Sequence, residues 1–152
     1  MTVINKKLIW FFIIVAFVGF ADATYLTLTH YAEVVPPCLT GGCEAVTTSE
    51  YATWGSVPVA LVGASYYFII LLAALLYLIE GWNGGLKVMK YVPTAGLLGS
   101  IYFVYLQAFV IGQWCQYCLV SALTSTLLFV GAIYLWRQPM VANGSDLPDQ
   151  QV

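Results

Sequence analysis

Four stretches of the chain carry almost nothing polar for about 20 residues at a time, the length an α-helix needs to cross a bilayer. They cover residues 8–29, 57–79, 92–111 and 119–136. Apolar positions within them lack the two-residue alternation of barrel strands, so each stretch predicts a transmembrane helix. Polar positions gather in the connections, which are short except for residues 30–56. The pattern predicts an all-α membrane protein: a four-helix transmembrane bundle as one domain over residues 1–137. A short polar tail follows over 138–152.

Composition agrees with that pattern. Hydrophobic residues make up 61 % of the chain and charged residues 8 %, with a mean hydropathy of +0.86. Soluble domains carry about 25 % charged residues. A net charge of −2 and the lack of any basic cluster set nucleic acid aside as a partner; the lipid bilayer is the expected environment.

The few basic residues give an orientation. Lys6 and Lys7 precede the first stretch, Lys87 and Lys90 stand between the second and third, and Arg137 follows the fourth. With both termini cytoplasmic, all five fall on the inner side. Trp10, Trp82, Tyr91 and Trp136 then mark the inner interface, and Trp54 and Trp114 the outer one. Lys6-Lys7, the apolar run and Ala21-Asp22-Ala23 also resemble a cleavable secretory signal. The apolar run continuing through Tyr25, Leu26 and Leu28 favours an uncleaved first helix.

Against that orientation the four cysteines all fall outside. Cys38 and Cys43, in CLTGGC, belong to the long outer loop, and Cys115 and Cys118, in QWCQYC, to the tight connection before the fourth helix. Disulfides form and persist on that side. Gly41 and Gly42 permit the turn that brings the first pair together, and the polar loop is expected to be mobile enough to meet a soluble protein. Cys115 and Cys118 are expected in the first turn of the fourth helix, on one face, where the N-terminal amides favour a thiolate. Cys118 lies about 4.5 Å deeper along the axis.

A pair straddling the interface can take electrons from water-side thiols and pass them to a lipid-soluble two-electron acceptor, for which a quinone is suited. The loop pair would act as a shuttle, each step being thiolate attack on a disulfide. Two other readings stand beside this one: a structural membrane subunit whose two static bridges staple the outer loop, and a metal-handling protein. Neither pair has zinc-knuckle spacing, and His30 is the one histidine, so no metal site is expected. The resting bonding stays open between two intrapair bridges and one bridge from loop to fourth helix.

The ordered set of motifs resembles the bacterial branch of the vitamin K epoxide reductase family. The residues that carry it are YLTLTHY (25–31), Cys38 and Cys43, Ser49, GSVPVALVGASYY (55–67) and CQYCLVSAL (115–123), spread over residues 8–136. The resemblance implies a bundle around a membrane quinone (ubiquinone or menaquinone), covered outside by a short amphipathic segment over residues 44–54. It implies electron transfer from a separate periplasmic thioredoxin-fold thiol oxidase of the DsbA kind, in the bacterial cytoplasmic (inner) membrane. Cys38 would meet that partner, Cys43 would exchange with Cys115, and Cys118 would face the quinone. Gly63, Tyr67 and Ala122 fall where the quinone would be contacted, and Ser49 either supports the site or caps the short helix after it. DsbB has its C-x-x-C in the first outer loop, so the order of pairs here differs. The vertebrate enzymes carry a tyrosine at the place of Ala122 and an asparagine near Val57, Pro58 and Val59. Their absence argues against epoxide chemistry.

Several further residues invite a role. Asp22 is an intramembrane carboxylate, able to relay protons, to pair with hydroxyls such as Thr24 or to meet water near the surface. His30 suits an interfacial anchor. Tyr66, Tyr102, Tyr105 and Phe109 could join Tyr67 in an aromatic pocket, though such residues are also ordinary packing material. Gly63, Gly96 and Gly99 would permit close helix approach. Asn143-Gly144-Ser145 fits the glycosylation pattern but falls on the inner side.

Overall fold

The structure, a computed structural model, describes residues 5–137. The polar tail expected over 138–152, with Asn143-Gly144-Ser145, lies outside the described residues. Five α-helices appear in the order α1 (Lys6–Tyr31), α2 (Cys43–Thr47), α3 (Val59–Glu80), α4 (Asn83–Tyr105) and α5 (Gln116–Arg137). A π-helical segment, Leu106–Ile111, continues α4 to the outer connection. All but α2 are long and apolar enough to cross a membrane, α4 together with its π-helical extension. Each neighbours the next around a ring: α1 against α3, α3 against α4, α4 against α5 and α5 against α1.

Two boundaries differ from expectation. α4 begins at Asn83 instead of near residue 92, and Pro93 sits inside it. Gly81, at φ 67°, ends α3 in the left-handed conformation, so the chain reverses within Gly81-Trp82. Lys87 and Lys90 therefore stand on the first turns of α4 instead of in a loop, and Lys90 is buried. A lysine stem can cover apolar surface in this way. At the other side of the bundle α3 starts at Val59, two residues late, because Pro58 precedes it in extended conformation.

Lipid offers no hydrophobic drive between helices, so close packing must hold them together. The core joins Phe12 and Ala16 of α1, Tyr67 and Ile70 of α3, Met89 of α4 and Leu128 of α5. Small residues set the closest approaches. Gly19 lies directly against the Tyr67 ring, Gly85 against the Ala73 carbonyl, and Gly131 has the Phe12 ring 3.0 Å from where a Cβ would stand. Of the glycines expected to do this, Gly96 does, against Tyr66 and Ser125. Gly63 and Gly99 do not: a Cβ on Gly63 would meet only that of Ala23, at 3.7 Å, and one on Gly99 nothing within 4 Å. Gly63 is thus in ordinary contact and Gly99 faces open space.

The outer cover is longer and more broken than a single amphipathic segment over 44–54. After α2 come a 3-10 turn (Glu50–Ala52) and a hairpin in which β1 (Thr53–Trp54) pairs antiparallel with β2 (Val57–Pro58). Gly55, at φ 65°, makes its turn. The hydroxyls of Thr47, Thr48 and Ser49 donate to the carbonyls of Cys43, Glu44 and Val46 at 2.7–2.8 Å. Such side-chain bonds compete with helix propagation, which stops α2 after five residues.

Gly19→Leu should destabilise the protein by about 1–3 kcal/mol, because the new side chain must displace a ring that three hydrogen bonds anchor to α5. Gly99→Ala, facing space, should stay within about 0.5 kcal/mol of the parent. Unfolding midpoints in detergent would show the contrast.

Candidate functional site

The long outer loop is tied down across the tight connection between α4 and α5. Thr40 Oγ1 donates to the Trp114 carbonyl at 2.7 Å, and the Tyr117 hydroxyl donates to the Pro37 carbonyl at 2.9 Å. Gln116 takes part twice, accepting from Leu39 N–H at 3.1 Å and donating to the Pro37 carbonyl at 3.4 Å. A Cβ on Gly42 would stand 2.8 Å from the Trp114 backbone, so only glycine lets the two segments approach this closely. The loop expected to be mobile is thus pinned, by partners 74 to 80 positions away in the sequence.

This clasp brings the two cysteine pairs together. Cys38 and Cys43 form a disulfide with Cα atoms 5.8 Å apart, while Cys115 and Cys118 are free thiols. The bonding therefore matches neither expected pattern: one intrapair bridge stands beside a dithiol. Cys43 and Cys115, each at 0 % exposure, share one buried cluster with Val46, against which Cys38, Ile111, Tyr117 and Cys118 pack. Cys38 is half-buried and adjoins Leu39, which is 96 % exposed.

Cys115 stands one residue before α5 instead of within its first turn. Its carbonyl accepts the first helical bond, from Leu119 N–H at 3.1 Å. Its own N–H donates to Gln107 Oε1 at 2.9 Å. The Cys118 thiol hydrogen-bonded to Cys115 holds the Cys115 thiol well below its ordinary value, at about 6. The backbone N–H groups of Cys118 and Tyr117 act in the same direction, and burial opposes them. Cys115 is therefore the thiolate of the pair at neutral pH.

Gln107 has no counterpart in the sequence reading. It is 2 % exposed and is carried by the π-helical segment, a feature found mostly at functional sites. The available signal was a polar amide within an apolar span, eight residues before Cys115.

Below the clasp lies a cavity of about 370 Å³, walled by all four long helices and by the outer cover. That falls in the range of small-molecule sites. Cys118, Gly63, Tyr67 and Ala122 all border it, as do Gln107, Tyr66 and Ser49. The Tyr67 hydroxyl is already committed to α5, through Ser121 and Thr124. Ser49 Oγ donates backward to Val46 and makes no capping bond to the turn that follows, so its expected capping role is absent. Tyr102, Tyr105 and Phe109 are exposed and form no part of the wall. Asp22 and His30 border the cavity from α1. The pairing of Asp22 with Thr24 is not made: Asp22 Oδ2 and Thr24 Oγ1 are both buried without a hydrogen-bond partner. Among the described residues no group of three or more His, Cys, Asp or Glu converges as a metal site.

The sulfurs form a graded series. Cys38 is half-buried beside the exposed Leu39, Cys43 and Cys115 share one buried cluster, and Cys118 borders the cavity. A comparison with family models matches residues 10–133 to the vitamin K epoxide reductase family.

Thiolate absorbance in the ultraviolet should titrate with a midpoint of about 6 for Cys115. Because the folded value is depressed, the thiolate persists above that pH and is lost as pH falls through it. Cys118→Ala removes the leading hydrogen bond, so the midpoint should rise toward the ordinary thiol range.

Proposed function

The chain belongs to the vitamin K epoxide reductase family of membrane thiol–disulfide oxidoreductases, and from that premise we propose that it oxidises an extracytoplasmic thiol protein and delivers the electrons to a membrane quinone. The observation that carries this reading is the division of the sulfurs: Cys115 meets the loop pair in a buried cluster while Cys118 borders the cavity.

A reduced thioredoxin-fold partner of the DsbA kind would attack Cys38, the half-buried sulfur of the loop bridge, and reduce the Cys38–Cys43 bridge. Cys43 thiolate then attacks Cys115 of an oxidised Cys115–Cys118 pair, forming the Cys43–Cys115 mixed disulfide and releasing Cys118. Attack by Cys38 on Cys43 closes the loop bridge again and leaves Cys115 and Cys118 reduced. An oxidised loop pair beside a dithiol is also the bonding of the structure.

The cavity suits a quinone ring in volume and in its largely apolar wall. A quinone bound there accepts two electrons and two protons. Cys118 is the sulfur placed to face it, with Gly63, Tyr67 and Ala122 shaping the space. Ser49 borders the same space, its hydroxyl donating to the Val46 carbonyl within the cover. The relay needs both pairs on one side of the membrane. On the orientation given by the lysines, that side is extracytoplasmic, in a bacterial cytoplasmic membrane with both termini inside.

Cys118→Ala should lower quinone reduction by purified protein by about 10³-fold or more, since it removes a participating nucleophile. Cys38→Ala should abolish oxidation of a reduced thioredoxin-fold protein while dithiothreitol still reduces the quinone through Cys115 and Cys118. Quinone reduction by the Cys118→Ala variant at the parental rate would refute the relay.

A further inference from the structure

The relay leaves one buried ionisable group unused. Asp22 borders the same cavity as Cys118, with Oδ2 buried and unpartnered. An unpaired carboxylate is costly to bury in an apolar span, whereas the acid form costs far less and has a proton to give. Asp22, Leu26 and His30 recur every fourth position on one face of α1, and all three border the cavity. The face rises about 12 Å from Asp22 to His30, which is exposed at the outer end.

Proton accounting gives this placement a purpose. With Cys115 titrating at about 6, the reduced pair holds two electrons but a single proton, on Cys118. Hydroquinone formation needs two. The titratable groups facing the cavity are Asp22 and His30 of α1, Tyr51 of the cover, Tyr66 and Tyr67 of α3, and Cys118 of α5. Tyr67 and Tyr66 are bonded to hydroxyls of α5, and Tyr51 and His30 are exposed at the outer side. Asp22 is the group left with an uncommitted, enclosed oxygen.

We infer that Asp22 is the internal acid of this cavity, donating the second proton to the acceptor and regaining it from the outer surface along the His30 face of α1. The inference rests on the quinone-reducing reading. In the step, Cys115 thiolate and Cys118 thiol close their disulfide, the electron pair passes to the quinone, and the protons of Cys118 and Asp22 complete the hydroquinone. Asp22 is left as carboxylate, and charge is conserved.

The test uses the full chain in detergent, dithiothreitol as reductant and a short-chain benzoquinone as acceptor. Asp22→Asn should slow quinone reduction by about 10²-fold, the scale of a lost general acid, with little change in KM for the benzoquinone. Formate should restore part of the rate to Asp22→Ala. Infrared difference spectra of the reduced protein should show a protonated-carboxyl band lost on adding benzoquinone, and Asp22→Asn should lack it. An active parent protein with an equally fast Asp22→Asn variant, or with no carboxyl band change, would overturn the inference alone. A folded parent protein that fails to reduce benzoquinone would overturn it together with the relay.

Discussion

The hydrogen bonds that lay residues 37–40 across residues 114–117 are what make two distant cysteine pairs one site. Each links groups at the protein surface, where a net contribution of about 0.5–1.5 kcal/mol is usual. Four such bonds are worth a few kcal/mol together. That is enough to keep the loop seated for most of the time. It is also little enough for thermal opening to release Cys38 and Cys43 to a docking partner. The close fit of Gly42 on the Trp114 backbone gives the seat its position, since no larger residue allows that approach.

Seating the loop also seals the site. Cys43 and Cys115 have no exposed surface, and Cys118 opens on a mainly apolar cavity beneath the cover. Burial of this kind raises the cost of a thiolate, and only local hydrogen bonds offset it. At Cys115 they come from the Cys118 thiol and from the first amides of α5. The same helix start that turns the chain back into the membrane therefore stabilises the Cys115 sulfur as a thiolate. Gln107 adds a further restraint, holding the Cys115 amide from the π-helical segment on the opposite side of the connection.

The spans were legible because lipid imposes a length and a composition that few other environments require. The grouping of four cysteines at one end of the bundle followed from the order of the spans alone. The start of α4 was hidden by Gly84, Gly85, Lys87 and Lys90, which read locally as a connection. Gly85 is in fact the contact that lets α4 lie on the Ala73 carbonyl. The clasp was invisible for another reason: Thr40, Gln116 and Tyr117 are ordinary polar residues until the fold sets them opposite one another. Gly63 and Gly99 show the limit of reading small residues as packing devices. Here they leave room, and the cavity occupies it.

Depth then accounts for the order of transfer. While the loop is seated Cys38 keeps part of its surface exposed, whereas Cys43 and Cys115 keep none. A ligand in the cavity can reach Cys118 but is separated from the loop pair by the sealed cluster. Cys115 is the sulfur that both sides share, and it is the one whose thiolate the helix start favours. In the proposed relay, electrons would pass to the cavity through Cys43, Cys115 and Cys118 in turn. In the proposed relay each exchange moves a disulfide by one sulfur among groups already gathered at one end of the bundle. The four-helix ring holds the cavity wall, and the clasped loop carries the pair that the proposed partner would meet.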